Sequence, residues 1–213
     1  MPDRQDAILA EIVGPDVLDV GCAGHWVKPG ARDWTHGRLR EALPAIVGVD
    51  LSEDNVAKMR AAGYDNVFVG DAEDLGATFG ERRFDSIVAG ELIEHLGSPL
   101  SFLCSARDLL KPGGRIIITT PYPFSLFQFL FALKNFPRTC SNPEHSVWLC
   151  PTTLGELATR AGLRVHSWRL IEDYVLNEDL LYRWFIRALR ALRWVLPLRL
   201  RANTMVFVLV ADG

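Results

Sequence analysis

The sequence lacks the features that mark secreted, membrane-spanning and nucleic-acid-binding proteins. Its 213 residues include only four cysteines, which form no C-x-x-C pair, and the chain opens without an apolar signal region. No apolar run reaches the ~18 residues that a spanning helix needs, and the net charge of −3 gives no basic excess. These absences predict a reduced, cytoplasmic protein without a nucleic-acid partner.

The composition is that of an ordinary globular chain, but its charge is unevenly distributed. With 49% hydrophobic and 23% charged residues, the chain is long enough for one domain, 1–213, with a sizeable core. Residues 1–120 carry 12 basic and 19 acidic side chains, a charge of −7, whereas residues 121–213 carry 11 and 7, a charge of +4. We therefore expect the two halves to have different roles.

Short β-branched runs alternate with longer helical patterns along most of the chain. The predicted strands are 17–20, 45–50, 66–69, 85–89, 115–120, 163–170 and 204–210. Helices between successive strands favour a parallel sheet covered on both faces. The alternation stops before the last strand, which is expected to lie antiparallel at an edge. The prediction is an α/β fold with a doubly wound, mostly parallel seven-stranded sheet and an antiparallel last strand.

Three helix starts can be predicted from capping residues. Ser52 precedes one helical pattern, and Ser98 followed by proline precedes another. Thr153 and Glu156 have the spacing of a capping box at the start of a helix that closes at Gly162.

Glycines and acids follow the predicted strands, which is where an open parallel sheet binds its ligands. Gly21 and Gly24 follow the first strand and allow the backbone to approach a ligand closely. Asp50 ends the second strand and is placed to accept both hydroxyls of a ribose, and Asp71 follows the third and could accept a bond from an exocyclic amine. This pattern predicts an adenosine-containing ligand.

Two adenosine cofactors fit such a sheet, a nicotinamide dinucleotide and a cationic cofactor. The dinucleotide needs a G-x-G-x-x-G turn feeding a helix, and the sequence has none. Asp19 lies just before the first glycine, where a carboxylate would repel a pyrophosphate but would suit a ligand carrying an ammonium and a sulfonium. The cationic cofactor is favoured, and a nicotinamide oxidoreductase remains as an alternative.

Five motifs in order resemble those of class I S-adenosylmethionine-dependent methyltransferases over residues 15–170. They are VLDVGCAGH (17–25), GVD (48–50), GDAEDL (70–75), FDSIVAGELIEHL (84–96) and LLKPGGRIIITTPYP (109–123). Within that superfamily, Glu94-His95, the TTPYP segment and Glu144-His145 resemble the small-molecule O-methyltransferases of the ubiquinone-biosynthesis type. The resemblance implies a Rossmann-like methyltransferase fold and S-adenosylmethionine as the cofactor.

The resemblance also implies a set of cofactor-binding residues. Asp19, Gly21 and Ala23 would line the methionine end, with Cys22 and Gly24 in the same loop. Asp50 would bind the ribose, Leu51 would pack on the adenine, and Asp71 and Ala72 would read its amino edge. Ala89, Gly90 and Glu91 would lie near the methionine moiety and the methyl group. The chain departs from the usual G-x-G-x-G loop at Ala23 and His25, and segment 25–36 is longer than usual, which indicates a lid or a surface loop.

Methyl transfer needs a general base only when the acceptor must lose a proton. The candidates for catalysis are His145, His95 and Glu91, and each histidine could instead serve only to hold its loop. His25 and His36 are interpreted as rim residues. The spacing of Cys140, His145 and Cys150 is wider than that of a zinc knuckle and lacks a fourth ligand, so no metal site is predicted.

Two segments of the basic half have no assigned place in the sheet. Segment 121–137 holds five of the eleven phenylalanines and one charge. It is either a core helix or part of a substrate-side insert at about 121–145 that covers an apolar acceptor.

Segment 180–201 carries six arginines and no acid. Arg183, Arg187, Arg190 and Arg193 share about a third of a helix circumference, and Pro197 should end this helix. It either packs on the sheet with a solvated arginine face, or captures an anionic acceptor, or makes a peripheral contact with an anionic membrane through Trp184 and Trp194.

The function predicted from the sequence is methyl transfer from S-adenosylmethionine to a small apolar or anionic acceptor, most simply to oxygen. The alternative is a regulatory or partner protein that binds the cofactor without transferring the methyl group.

Overall fold

The computed structural model describes residues 3–24, 34–174 and 180–212. Its strands are β1 Val17–Val20, β2 Val47–Asp50, β3 Val67–Val69, β4 Phe84–Gly90, β5 Leu110–Pro121, β6 Leu163–Ile171 and β7 Thr204–Ala211. Its α-helices are α1 Arg4–Leu9, α2 Thr35–Ala42, α3 Glu53–Ala61, α4 Leu75–Phe79, α5 Pro99–Asp108, α6 Leu126–Asn135, α7 Pro151–Arg160, α8 Leu180–Ala191 and α9 Leu198–Arg201.

The described strands form one seven-stranded sheet in the order β3-β2-β1-β4-β5-β7-β6. Neighbouring strands from β3 to β5 pair in parallel, whereas β7 pairs antiparallel with both β5 and β6. The predicted α/β sheet with an antiparallel last strand is confirmed. The edge position expected for that strand is wrong, because β7 inserts between β5 and β6 and leaves β6 at the edge.

Apolar side chains alternate between the two faces of the sheet, and helices cover both. On one face Leu18 and Ala89 belong to the larger core, together with Phe102 of α5 and Leu154 of α7. On the other face Val17 and Val88 pack with Ala7 of α1 and Leu39 of α2. This arrangement of helices confirms the doubly wound architecture.

Two of the three predicted helix starts agree with the structure. Ser52 and Ser98 accept backbone N–H groups at the starts of α3 and α5, each at 3.2 Å. The capping box predicted at Thr153 is wrong, since α7 begins two residues earlier at Pro151. The Thr153 hydroxyl instead accepts the N–H of Cys150 at 2.9 Å, so threonine is the last residue of the box rather than the first.

The two unplaced segments of the basic half are helical. In α6 the only buried residue is Gln128, and Phe129 and Leu133 are 62% and 70% exposed, so α6 is not a core helix. Helix α8 buries Ile186 and Leu189. It ends at Ala191 and continues as a 3₁₀ turn over 192–194, so it stops short of Pro197. Within the described ranges, no helix combines the length and apolar character needed to span a bilayer.

Candidate cofactor and acceptor site

The order of the strands opens a crevice at the carboxyl ends of β1 and β4. From β1 the chain moves outward to β2 and β3, whereas β4 leads the other way to β5, and such a reversal is where open α/β sheets bind ligands. We call the carboxyl ends of β1, β2, β3 and β4 the cofactor edge. Gly21 and Gly24 adopt φ values of 75° and 57°, and a Cβ at Gly24 would meet no atom of the described residues within 4 Å. The loop therefore leaves open space for a ligand.

Asp50 ties the glycine loop to the end of β2. Its Oδ2 accepts the N–H of Ala23 and its Oδ1 accepts the N–H of Ser52, both at 3.0 Å. A carboxylate offers about four lone-pair sites, so two of them remain for the hydroxyls of a ribose. This geometry fits the role predicted for Asp50.

Leu51 and Asp71 lie on the same edge, since β2 and β3 are neighbours. The Leu51 side chain is 71% exposed. This exposure leaves its apolar surface available for packing against a flat ring such as adenine. The carboxylate of Asp71 accepts the N–H of Glu73 at 2.8 Å and caps a 3₁₀ turn that begins at Ala72. Together with Asp50, these residues supply the polar and apolar contacts that an adenosine group requires.

Asp19 lies beneath this edge and pairs with a histidine. Its Oδ2 is 2.9 Å from Nδ1 of His36, and both side chains are almost fully buried. Burial raises the pKa of Asp19 above its ordinary value, and the bond to His36 partly offsets that rise. The interpretation of His36 as a rim residue is wrong. It is buried because Gly48 leaves it room, since a Cβ at Gly48 would lie 2.9 Å from the His36 ring.

Two of the residues predicted to bind the cofactor direct their side chains into the core. The thiol of Cys22 packs 3.8 Å from the Met59 sulfur, and burial raises its pKa. Its N–H donates to Val49, and its carbonyl accepts from Trp34. Ala89 is fully buried in the larger core. The structure thus brings neither side chain to the cofactor edge.

The remaining predictions for this edge concern Gly90 and residues 25–36. Gly90 ends β4 and is half-buried. His25 and most of the predicted lid or surface loop, residues 25–33, lie outside the described residues.

Glu91 follows β4 and adopts an uncommon backbone conformation. Its φ is 52°, which for a residue other than glycine costs on the order of 1 kcal/mol. The Glu91 N–H donates to both the carbonyl and the hydroxyl of Thr119, at 3.0 and 3.1 Å. Its carboxylate lies 3.9 Å from the Arg4 guanidinium. Burial raises the pKa of Glu91, and Arg4 partly offsets that rise.

The structure brings together the two histidines predicted as catalytic candidates. The rings of His95 and His145 meet edge-on with centroids 4.8 Å apart. Ser146 holds their loops together, since its N–H donates to the Glu94 carbonyl at 2.8 Å and its hydroxyl donates to the Leu96 carbonyl at 2.7 Å. Burial, followed by the charge of His95, lowers the pKa of His145, which favours the neutral ring.

Glu94 is a buried carboxyl group beside this histidine pair. It is 2% exposed, and both of its carboxyl oxygens are buried. Burial, followed by the charge of Glu91, raises its pKa to about 8. Ligand atoms of Glu94, His95 and His145 all lie within 4.8 Å of one another, a spacing that could accommodate a metal ion. The sequence predicted no metal here, and that prediction stays untested.

The two cysteines of the Cys140-His145-Cys150 pattern are not part of this group. Cys140 approaches His145, with its Sγ 3.6 Å from Nδ1. Cys150 caps the start of α7 instead.

A polar cavity of about 260 Å³ lies between Glu91 and His145. Its walls come from α1, the end of β5, α6, the 141–145 loop and the segments flanking α8. They include Arg4, Glu91, Ser125, Gln128, Ser141, His145, Asp173, Tyr174, Asn203 and Thr204. Arg4 shares its charge between the two carboxylates, since its Nε lies 3.6 Å from Asp173. The cavity therefore holds two carboxylates for one guanidinium.

A larger apolar cavity of about 830 Å³ adjoins the polar one, and Gln128 lines both. Its walls are Pro123, Phe124, Leu126, Gln128, Phe129, Ala132, Thr139, Trp148, Cys150, Thr153 and Leu200. The side-chain amide oxygen of Gln128 is buried and has no hydrogen-bond partner among the described residues. A molecule with a polar head and an apolar tail would match the two cavities.

Sequence reasoning missed several residues of the polar cavity. Arg4, Asp173 and Asn203 come from three distant segments, and no spacing rule connects them. Gln128 had a local signal, because it is the only polar residue in the apolar run from 126 to 133. Asp173 had a weaker one, because it lies shortly after a predicted strand.

Comparison with known proteins agrees with the geometry of the cofactor edge. A family model described as a methyltransferase domain matches residues 3–167. The ubiquinone biosynthesis O-methyltransferase of Nitrosospira multiformis is 27% identical over 168 residues, which cover 74% of this chain and 66% of that protein, just under two thirds. The protein of the same name from Thiobacillus denitrificans is 30% identical over 173 residues, covering 74% and 68%.

Solved structures share the fold at low sequence identity. An S-adenosylmethionine-dependent methyltransferase from Clostridium acetobutylicum superimposes with a TM-score of 0.62 at 13% identity, covering 98% of this chain and 91% of that one. The CcbJ methyltransferase of Streptomyces caelestis gives 0.63 at 18% identity, covering 100% and 91%. The resemblance predicted from the motifs is confirmed, with S-adenosylmethionine as the family's cofactor. The chain belongs to the S-adenosylmethionine-dependent methyltransferase family.

Proposed function

We propose that this protein transfers the methyl group of S-adenosylmethionine to an oxygen atom of an amphiphilic small molecule. The hydroxylated head of the acceptor occupies the polar cavity, and its tail occupies the apolar cavity. The observation that carries this proposal is the meeting of the two cavities at Gln128, with Glu91 and His145 lining the polar one.

The cofactor edge holds the adenosine and methionine ends of the cofactor, which supplies the methyl group when bound. Asp50 accepts the ribose hydroxyls, Leu51 covers one face of the adenine, and Asp71 with Ala72 lies at its amino edge. Gly21 and Gly24 let the main chain approach the ligand closely, and Ala23 lies in the same loop, tied to Asp50 by its N–H. Asp19 acts through His36, since its carboxylate is bonded to that ring and buried. Gly90 and Glu91 connect this edge to the polar cavity.

His145 is the proposed proton acceptor for the acceptor hydroxyl. It lines the polar cavity, and its neutral ring can take the proton that an alcohol or phenol loses on methylation. His95 positions that ring through the edge-on contact. Glu91 accepts a hydrogen bond from a second hydroxyl of the head group. The positive φ of Glu91 orients its carboxylate, and the hydrogen bond from the Glu91 N–H to the Thr119 hydroxyl stabilises this backbone conformation.

The charges of the polar cavity favour a neutral head group over an anionic one. Arg4 is its one cationic side chain among the described lining residues, and it already lies beside Glu91 and Asp173. A carboxylate or phosphate would be repelled there, because two carboxyl groups share a single guanidinium. Of the two acceptor classes that the sequence allowed, the apolar one is therefore favoured, in the form of a neutral hydroxylated molecule.

The relatives support oxygen as the methylated atom. Their names describe O-methyltransferases that act in ubiquinone biosynthesis. The identities are low, so the relatives support the reaction class and leave the individual acceptor open. An acceptor with an apolar tail also accords with the peripheral membrane contact predicted for residues 180–201.

The test is transfer of a labelled methyl group to paired acceptors. Each pair consists of one hydroxylated aromatic ring with a prenyl tail and the same ring without it. We expect both to be methylated on oxygen, with a KM at least about tenfold lower for the tailed acceptor, since each buried methylene contributes about 0.8 kcal/mol. Methylation on nitrogen or carbon only, or equal KM values within a pair, would reject the proposal.

The altered glycine loop supports a second candidate, a cofactor-binding protein without transferase activity. Ala23 stands where a glycine is usual, and it is fully buried. Calorimetric titration distinguishes the two candidates. Cofactor binding without methyl transfer to any acceptor of the panel would favour the regulator, whereas transfer would exclude it.

A further inference from the structure

The exposed large apolar side chains are concentrated on two segments. Eleven of the fifteen in the described residues lie there, although the segments make up a small part of the chain. Segment 124–136 contributes Phe124, Phe129, Leu130, Leu133 and Phe136. Segment 180–198 contributes Leu180, Trp184, Leu192, Trp194, Val195 and Leu198. So dense an apolar surface usually marks a place of contact with another phase or molecule.

The two segments lie side by side and form one surface, which we call the apolar platform. Phe127 of α6 and Phe185 of α8 have ring centroids 6.2 Å apart. Leu126 and Leu196 pack on a small core formed by Tyr174, Ile186 and Leu189. This core attaches the platform to the rest of the molecule. The outward side chains of the platform are therefore carried by packed helices.

The platform carries positive charge without negative charge. Segment 180–201 has six arginines and no acid, and segment 121–137 adds one lysine. Arg201 is buried and paired with Glu172. The other five arginines form no ion pair in the described part of the chain, and Arg187, Arg190, Arg193 and Arg199 are exposed. A core-packed helix would not require this combination of exposed aromatic rings and unpaired cations.

Arginine and tryptophan are paired at two points of the platform. The Arg187 guanidinium lies 5.5 Å from the Trp184 ring, and the Arg193 guanidinium lies 4.9 Å from the Trp194 ring. Trp184 is 65% exposed and Trp194 is 84% exposed. Tryptophan prefers the headgroup level of a bilayer, and arginine binds the phosphates at the same depth.

We propose that the apolar platform docks this protein onto the surface of an anionic lipid bilayer. The tryptophans and phenylalanines enter the headgroup region, and the exposed arginines Arg187, Arg190, Arg193 and Arg199 bind lipid phosphates. Charge complementarity selects the occupant, because an anionic membrane matches five unpaired arginines, whereas a second copy would bring the same cations face to face. Residues 180–201 lie outside the matched family segment 3–167, whereas segment 124–136 lies within it.

Docking of this kind would place the apolar cavity next to lipid. Phe124 and Phe129 belong both to the platform and to the cavity wall, and Leu200 of the same basic segment completes that wall. An acceptor dissolved in the bilayer could enter without crossing water. This consequence rests on the proposed function, but the docking itself does not.

Vesicle sedimentation with the full chain tests the proposal. The probes are vesicles of phosphatidylcholine alone and of about three parts phosphatidylcholine to one part phosphatidylglycerol. We expect binding to the anionic vesicles at about 0.1 M salt, little binding to the neutral ones, and release as the salt concentration rises. Neutralising Arg187, Arg190, Arg193 and Arg199 to glutamine should weaken binding about a hundredfold or more, since each contributes about 1 kcal/mol.

A matched variant controls for the loss of four positive charges. Arg82, Arg83, Arg160 and Arg164 are exposed on other elements, and their change to glutamine should leave vesicle binding within about twofold. The pair Trp184→Ala and Trp194→Ala should lower binding about tenfold at unchanged charge. Circular dichroism and cofactor titration establish that each variant is folded.

Three outcomes would overturn the proposal. They are equal binding by the platform variant and wild type, equal binding to neutral and anionic vesicles, and a stable dimer that the tryptophan substitutions dissociate. Failure of methyl transfer would reject the proposed function and leave the vesicle result intact, so the two failures are distinguishable.

Discussion

The cofactor edge and the two acceptor cavities of this molecule are built in different ways. At the cofactor edge, Gly21 and Glu91 follow directly after β1 and β4, Asp50 is the last residue of β2, and the register of paired strands fixes their relative positions. The cavities are lined by α1, α6, the 141–148 loop and the segments around α8. Arg4 and Asp173, which meet in the polar cavity, are 169 positions apart in the sequence.

This difference explains why one site can be read from motifs and the other cannot. A strand end is positioned by main-chain hydrogen bonds, which any sequence with the right apolar pattern can form. A cavity wall made from helices and loops depends on individual side chains, and such segments vary between relatives. The cofactor edge therefore follows from the fold, whereas the acceptor cavities depend on individual side chains of helices and loops.

The largest effect should come from removing the proposed proton acceptor between the two sites. His145→Gln should lower kcat by about 10²–10⁴, which is the usual contribution of a general base. Cofactor affinity should stay within about twofold of wild type, because His145 lies on the acceptor side. Methyl transfer at saturating acceptor and calorimetric titration measure the two quantities.

His166→Gln serves as the matched control, since His166 is exposed on β6. An unchanged kcat for His145→Gln would remove His145 from catalysis. A chelator that lowers the kcat of the wild type to the same extent, together with zinc binding in a calorimetric titration of the protein, would indicate a different mechanism. The acceptor would then be activated by a cation held by Glu94, His95 and His145 rather than by His145 as a base.

Substitution of Asp50 should have the converse effect, because it should lower the affinity for the cofactor rather than the rate of proton removal. Asp50→Ala removes the acceptor of the ribose hydroxyls and the bonds to Ala23 and Ser52, so cofactor affinity should fall about a hundredfold. Calorimetric titration measures it, with exposed Asp54→Ala on the neighbouring helix as the control. Indifference to Asp50→Ala would mean that the cofactor lies elsewhere.

The strands were predictable because their signals are local. Each predicted strand overlaps an observed one, since alternating β-branched residues are buried wherever the sheet has helices on both faces. The position of β7 was not predictable in this way. Its place between β5 and β6 depends on the long excursion through α8, which no pattern within β7 reveals.

The same limit applies to the candidate site. Asp50 and Leu51 could be located from the ends of strands, and His95 and His145 were singled out separately. Their meeting at 4.8 Å depends on Ser146, whose bonds to Glu94 and Leu96 reach across about 50 residues. The burial of His36 was missed because Gly48, which makes room for it, lies on another strand.

A smaller effect should distinguish the two cavities from each other. Ala132→Phe narrows the apolar cavity, which Ala132 lines. KM for a tailed acceptor should rise about tenfold, whereas KM for the matching ring without a tail should stay the same. Initial rates with the paired acceptors provide the measurement, and Ala57→Phe on an exposed face of α3 is the control. An equal rise for both acceptors would place the tail outside this cavity.

The smallest effect concerns the buried carboxyl group under the cofactor edge. Because burial raises the pKa of Asp19 in the folded state, its contribution to stability is fully present below the unfolded value of about 4 and is lost as pH rises through the folded pKa. Asp19→Asn does not titrate. We therefore compare the free energy of unfolding of the variant with that of the wild type. The value for the variant minus the value for the wild type should increase with pH by about 1.4 kcal/mol per pH unit between the unfolded and folded pKa values of Asp19. Urea unfolding between about pH 4 and pH 7 measures the difference, with exposed Asp65→Asn as the control. A difference that stays constant with pH would mean that Asp19 is no harder to ionise in the folded chain than in the unfolded one.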